Sequence, residues 1–361
     1  MAGKLYVSTK ANIMYPRPRL QMYWIFKQEL CSLLRKASWN CKGEESVLNS
    51  AMSTQRKYTF GPVPSRRLGL SLGVDIIPKK LCTLDCVYCE VGVTDKRGLA
   101  RKEYFLAKDI LAEVKEVIAE YPNLDHITIS GSGEPTLNSK IGDIIRGIKH
   151  MTTVPVAVLT NGTLLDDPAV RRDLMDADIV SPSMDAVTPE VFEKVDRPNP
   201  KLRIDNIIEG MKKFRQEYRG RMWMEILFVA GINDQDDEVY KMKQVIDEIQ
   251  PEKVHLNTVI RPPAYSFAKP TSQERLREIQ KILGERSEIV GIFKETHATQ
   301  AHSTDGQAIL ALLKRRAMTV DQMTVSLEMK KEEIVGSLDQ LLQGKFIKIY
   351  TFNGEEYFQA Q

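Results

Sequence analysis

At 361 residues the chain is long enough for one large domain and a small companion, and 42% hydrophobic with 27% charged residues is an ordinary globular balance without repeats or low-complexity tracts. The formal net charge of +3 is gathered at the front, where residues 1–51 carry eight Lys or Arg against three acidic residues. The remainder is slightly acidic and makes no electrostatic case for nucleic acid. No apolar run reaches the roughly 18–20 residues of a membrane span. The best core for a secretory signal, from Met22 to Phe26, is short and stops at Lys27, so a cytoplasmic protein is expected.

Residues 1–51 read unlike the rest. The stretch from Leu20 to Trp39 has the spacing of an amphipathic helix without a partner, and Met52 opens a run, MSTQRKYTFGPVPSRRLG, with the character of a beginning. An extension over 1–51, from a misplaced start or as a poorly ordered arm, is therefore expected ahead of a core over 52–300 and a small module over 301–361.

From about residue 70 to 260 short β-type runs alternate with amphipathic helical segments. Strands are predicted at Leu70–Ile77, His126–Ser130, Val154–Thr160, Ile179–Met184, Met222–Val229 and Lys253–Ile260. Apolar spacing of three and four, as at Ile110, Val114 and Val117, places helices between them. Six strand–helix units imply an α/β fold with a parallel sheet and right-handed crossovers. That number predicts a partial (β/α)6 TIM-like barrel, with chemistry at the C-terminal ends of its strands. Beyond residue 300, short helices are predicted at Ile309–Leu313, Val320–Leu327 and Glu332–Leu342, then a hairpin of Phe346–Thr351 and Tyr357–Phe358 around Asn353 and Gly354. Three helices and a β-wing describe a small C-terminal winged-helix domain.

The strongest chemical signal follows the first of the six strands. Cys82, Cys86 and Cys89 form a CxxxCxxC, and they are three of only five cysteines in the chain. An odd, clustered set argues against a disulfide framework and for metal or redox chemistry. Thiolates bind soft iron, close spacing lets one loop wrap a cubane, and three ligands leave one iron of a [4Fe–4S] cluster open. A structural zinc site is the plain alternative, but it wants four ligands, and the next histidine is His126.

At these residues the chain resembles the radical S-adenosylmethionine (SAM) superfamily, whose members share CxxxCxΦC with an aromatic Φ, here Tyr88. The resemblance implies that Tyr88 packs near the SAM adenine and that SAM chelates the open iron. One electron then cleaves the sulfonium to a 5′-deoxyadenosyl radical, which takes hydrogen from a substrate. Further motifs follow in order. Gly131-Ser132-Gly133-Glu134-Pro135 resembles the family's GGEP turn, with Ser132 in place of the first glycine; Gly133 lets backbone approach a ligand, and the Glu134 carboxylate can meet an ammonium. Thr160-Asn161-Gly162 resembles the TNG element and implies that Asn161 faces the ribose side. Ser183 and Asp185, at the end of the fourth strand, stand where the family places ribose contacts. The segment Gly231-Ile232-Asn233-Asp234 resembles the one that passes the adenine.

The run from Gly61 to Gly69, GPVPSRRLG, resembles a subgroup filed beside the wyosine-synthase-like tRNA enzymes, although this chain lacks the cysteines for their second cluster. Rigid prolines beside Arg66 and Arg67 suit a fixed anion-binding edge, with solvated surface charge as the plain alternative. With Arg197 and Arg261 they are expected to form a cationic rim for substrate. No cysteine follows Cys89, which excludes auxiliary clusters or a thiol relay in the C-terminal half. The expectation is a radical SAM enzyme, reduced by a low-potential donor such as flavodoxin or ferredoxin and acting on an RNA base, protein or peptide. A redox-sensing regulator that binds DNA through the winged helix is the alternative. Against it, residues 303–361 carry seven Lys or Arg and eight acidic residues, which disfavours duplex DNA.

Overall fold

The computed structural model describes residues 56–65, 67–94, 97–290, 306–315, 317–327, 329–352 and 354–361. The extension expected over 1–51 lies outside them. Six parallel strands follow one another in chain order across the sheet: β2 (Gly69–Asp75), β3 (His126–Ser130), β4 (Val156–Thr160), β5 (Ile179–Pro182), β6 (Arg221–Phe228) and β7 (Lys253–Thr258). These are the strands expected from the sequence. Two more flank them, β1 (Thr59–Ser65) antiparallel to β2 and β8 (Ser287–Ile289) parallel to β7. The result is an α/β fold around a mostly parallel sheet.

β1 corrects the reading of the proline-rich run as a rigid edge ahead of the first strand. Proline cannot donate to a ladder, but an edge strand with a bulge tolerates it. Here the register slips between Phe60 and Val63, which takes Gly61 and Pro62 out of the pairing.

Alternation along the strands separates two environments. Leu72 and Val74, Ile127 and Ile129, Val156 and Val158, Met224 and Ile226, and Val254 and Leu256 are all buried in the main core. The helices that cover this face are α1 (Ala107–Glu120), α2 (Ile141–Met151), α3 (Pro168–Leu174), α4 (Pro189–Val195), α5 (Ile204–Glu217), α6 (Asp236–Ile249) and α7 (Gln273–Leu283). They contribute Ile110 and Val114, Ile144 and Ile148, Phe214, Met242 and Ile279 to the same core. The alternate strand positions are mixed: Ser71, Thr128, Ser181, Glu225, His255 and Asn257 are polar, while Ala157, Ile179 and Trp223 form a small apolar cluster with Leu68. A parallel sheet dry on both faces reads as unbroken apolar runs. Most strands here alternate, because the second face carries polar side chains beside that cluster.

Helix starts are written locally. Pro168 and Pro189 occupy first-turn positions, where the missing N–H costs nothing, and the Asp167 and Ser272 side chains accept from Ala169 N and Arg275 N.

After the sheet come α8 (Gly306–Arg315), α9 (Val320–Leu327), α10 (Lys331–Gln343) and an antiparallel hairpin of β9 (Ile347–Phe352) and β10 (Glu355–Ala360). Their own core includes Ile309, Leu313, Met323, Ile334, Leu338 and Phe358, and Val63 of β1 belongs to it. At the far side of the sheet Tyr357 Oη donates to Ile260 O (3.0 Å), just past β7. Residues Arg56–Gln361 accordingly make one compact unit. Among the described residues no helix is long and apolar enough to cross a membrane.

One glycine tests the packing. Gly210, inside α5, faces the Leu165–Asp166 backbone, and a Cβ there would lie 2.6 Å from the Leu165 carbonyl carbon. On an isolated helix Gly210→Ala gains about 1 kcal/mol. Here overpacking against backbone reverses the sign, and a net loss of roughly 1–3 kcal/mol is expected in denaturant unfolding. An unchanged or raised stability would show that the helix does not approach so closely.

Candidate metal and cofactor site

The cysteine loop leaves the end of β2 and is fastened to the turn that leaves β3. Lys80 N donates to Ser132 O (2.7 Å) and Glu134 N to Leu81 O (2.9 Å). Asp75, the last residue of β2, accepts from Ser132 Oγ (2.7 Å), so the serine that replaces a family glycine has a use of its own. Gly133 packs so tightly that a Cβ would collide with the Leu81 carbonyl oxygen. The requirement at this position is close approach, as its sequence context suggests.

The rest of the loop is held from elements the sequence reading passed over. Asp85 N donates to Asp196 O (3.0 Å) and Val87 N to Val195 O (2.9 Å), at the end of α4. The buried Asp85 carboxylate accepts from Thr94 N (2.7 Å), Arg197 Nε (3.0 Å) and Tyr265 Oη (2.7 Å). Tyr265 N in turn donates to Val87 O (3.1 Å). The one available hint was an acidic residue inside the CxxxCxxC itself.

The three cysteines are free and half-buried. Burial, with Glu134 adding repulsion, pushes the Cys82 thiol up to about 12. Burial and the neighbouring Asp196 raise Cys86 well above its ordinary value. Such sulfurs keep their protons until a cation displaces them. Each has a different polar neighbour: Asn161 Nδ2 lies 3.5 Å from Cys82 Sγ, Asp196 Oδ1 3.3 Å from Cys86 Sγ, and Lys80 Nζ 3.6 Å from Cys89 Sγ. Among the described residues no three thiol, imidazole or carboxylate groups close on a point as one ion needs. Three soft donors on one loop, each able to take a separate iron, fit a [4Fe–4S] cluster in chemistry and number.

Of the residues expected around SAM, Tyr88, Asn161, Ser183 and Asp185 line a common pocket, together with Leu84 and Asp196. Tyr88 Oη donates to Asp185 Oδ2, and Leu227 N donates to the other oxygen (2.7 Å). Burial lifts the Asp185 carboxyl to about 7 and holds the Tyr88 phenol well above its ordinary range, with Asp185 contributing. Asn161 turns toward the cysteine loop and donates to Thr83 Oγ1 (2.8 Å).

Glu134 is held within the protein from two strand ends. Its buried carboxylate accepts from Thr136 N (2.9 Å), Thr136 Oγ1 (2.5 Å), Thr160 Oγ1 (2.6 Å) and Asn161 N (2.7 Å). Three of these bonds end on Oε1 and one on Oε2, so Oε2 keeps an acceptor site while the side chain ties the end of β3 to the end of β4.

The expected cationic rim does not assemble. Arg66 lies outside the described residues. Arg67 precedes β2, at the opposite end of that strand from the cysteines, and pairs with Glu225 of β6. Arg197 and Arg261 do stand beside the cysteine loop. Arg197 pairs with Asp85 and lies 4.8 Å over the Tyr265 ring, while Arg261 Nη1 meets both oxygens of Glu90 at 2.8 and 3.0 Å. For Arg67 and Arg261 the physical reason is desolvation, since a guanidinium taken out of water requires a countercharge, while the exposed Arg197 is engaged by the buried Asp85.

The radical SAM superfamily model matches residues 76–242. That match marks a radical SAM enzyme, with a [4Fe–4S] cluster and SAM as its cofactors. Within that class the chain belongs to the UPF0026 family. It is 37% identical over 234 residues to the UPF0026 protein of Methanocaldococcus jannaschii, covering 64% of this chain and 72% of that one. Its identity to a UPF0026 protein of Helicobacter pylori strain 26695 is 32% over 306 residues, covering 83% and 97%. It is also 32% identical over 313 residues to a protein of Brachyspira hyodysenteriae named GTPase Obg; that match covers 86% of this chain but spans only 46% of the longer protein.

Gly133→Ala should push the turn off the cysteine loop. The expected result is a loss of roughly 1–3 kcal/mol in unfolding of the metal-free protein, with weaker SAM binding by the reconstituted one. Wild-type values for both would mean that the contact with Leu81 is not maintained in solution.

Proposed function

We propose that Cys82, Cys86 and Cys89 hold the [4Fe–4S] cluster and that the enzyme cleaves SAM reductively there, to take a hydrogen atom from an RNA base, a protein or a peptide. The observation that carries this reading is the double backbone bond between the cysteine loop and the Gly131–Glu134 turn, packed so closely that only a glycine fits at Gly133. When bound, cluster and SAM together supply a one-electron cleavage that yields a carbon-centred radical.

The chain's own residues have distinct tasks in this reading. Gly133 lets the turn close on the Leu81 backbone, and Glu134 ties the β3 and β4 ends while its Oε2 offers an acceptor to the SAM ammonium. Tyr88, held by Asp185, presents its ring to the adenine; Asn161 and Ser183 supply the polar edge of the same pocket. Arg197 and Arg261 brace the cysteine loop through Asp85 and Glu90. The polar inner face of the sheet, with the Arg67–Glu225 pair, receives the substrate. Because that pair is already neutral, a hydrogen-bonding group such as a base or an amide suits it better than a free phosphate.

We further read β2–β7 as the partial (β/α)6 barrel of a core over 52–300, and α8–α10 with β9–β10 as a winged-helix module over 301–361. This module is taken as a structural or partner-docking element. The exposed Glu332, Glu333 and Asp339 of α10 would repel duplex phosphates, which leaves the DNA-binding sensor without support. A flavodoxin or ferredoxin is the proposed reductant.

Anaerobic protein reconstituted with iron and sulfide, then given dithionite and SAM, should release 5′-deoxyadenosine. Cys86→Ala should abolish the release. An intact cluster that yields no 5′-deoxyadenosine would overturn the enzyme reading and favour a sensor.

A further inference from the structure

Taking the reading of the three cysteines as cluster ligands as its basis, we propose that Lys80 sets the reduction potential of the cluster, as a fixed positive charge held against the Cys89 sulfur. The polar neighbours of Cys82 and Cys86 are a neutral amide and a carboxyl group, whereas Cys89 faces an ammonium 3.6 Å away. Of the three contacts this one alone brings a full positive charge to the sulfur set.

Lys80 is anchored at both ends. Its backbone lies in the left-handed region at φ 65°, where few non-glycine residues settle, and its N–H is committed to Ser132 O at 2.7 Å. A strained position of this kind persists where its surroundings over-determine it. The side chain then folds back along the loop, where Nζ also donates to Gly92 O. Gly92 N is itself bonded to Cys89 O at 3.2 Å, so the ammonium and the sulfur belong to one closed turn. Lys80 is half-buried, and among the described residues no carboxylate lies within ion-pairing distance of it. Its charge is therefore not cancelled locally.

Reduction transfers one electron from the donor to the cluster, makes no protein bond and breaks none. The reduced cluster carries one more negative charge than the oxidised one, so a nearby cation stabilises the reduced form more. Net charge and hydrogen bonds to the sulfurs are the levers that tune such potentials. For a unit charge several ångströms away, partly screened by solvent, the effect is roughly tenfold in the ratio of reduced to oxidised cluster at a fixed poise. Tenfold is ~59 mV for a one-electron couple. Lys80 would thus ease reduction by a biological donor, as a positioning residue that need not touch SAM.

The test is a redox titration followed by the electron paramagnetic resonance signal of the reduced cluster, without SAM, on wild type and on Lys80→Gln, Lys80→Arg and Lys80→Gly. Iron and sulfide are measured first. Equal content is expected in all four, with Lys80→Gln and Lys80→Gly reduced about tenfold less at the wild-type midpoint and Lys80→Arg close to wild type. Lys80→Gly relieves the strained backbone, so a shift shared with Lys80→Gln reports charge rather than distortion. An unchanged midpoint in Lys80→Gln, or loss of the cluster in place of a shift, would each overturn the proposal. Wild-type protein without iron and sulfide would instead remove the cluster-ligand reading on which it stands.

Discussion

Three sulfur atoms gathered in a half-buried loop are the constraint around which this fold is arranged. Their mutual repulsion as thiolates and their removal from water disfavour the charged form, and the raised Cys82 and Cys86 thiols express that. A loop of this kind does not hold its shape from local propensity. Backbone bonds to the β3 turn and to the end of α4, together with the Asp85 carboxylate, hold it from three sides. With these cysteines as the proposed ligands, iron would supply the positive charge that the sulfurs lack, and metal binding and local order would reinforce each other.

The two faces of the sheet divide the work. The outer one is apolar and carries most of the core, which frees much of the inner one to be polar. Hydroxyls, an imidazole, an amide and the Arg67–Glu225 pair stand there, beneath the strand ends that hold the cysteine loop and its neighbours. The C-terminal helices and hairpin touch both margins of the sheet, through Val63 on β1 and through Ile260 after β7. They act as part of the same body and not as an appended reader. Arginines that look available in sequence are consumed in bracing this frame.

Much of this was legible beforehand, for identifiable reasons. Strands β2–β7 have periodic apolar residues and turn signals, and the CxxxCxxC needs no partner elsewhere in the chain to be recognised. The three C-terminal helices and their hairpin likewise follow from spacing and from Gly354, whose φ is 82°. β1 was hidden by its prolines, and β8, with three residues, is too short to show a period. Partnerships were the harder part. Nothing near Arg67 in sequence announces Glu225, and nothing near Glu134 announces Thr160, because such contacts exist only after the strands are laid side by side. The bonds that the Glu134 carboxylate accepts from Thr160 and Asn161 are therefore invisible in the sequence.

The central claim is that three cysteines leave one iron of the cluster to SAM. The most direct measurement is electron–nuclear double resonance on the reduced cluster, with SAM carrying magnetic nitrogen and oxygen isotopes in its amino and carboxylate groups. The account predicts hyperfine coupling from both labels, present only when SAM is added. A cluster signal indifferent to SAM, or purified protein that binds zinc in place of iron, would contradict it.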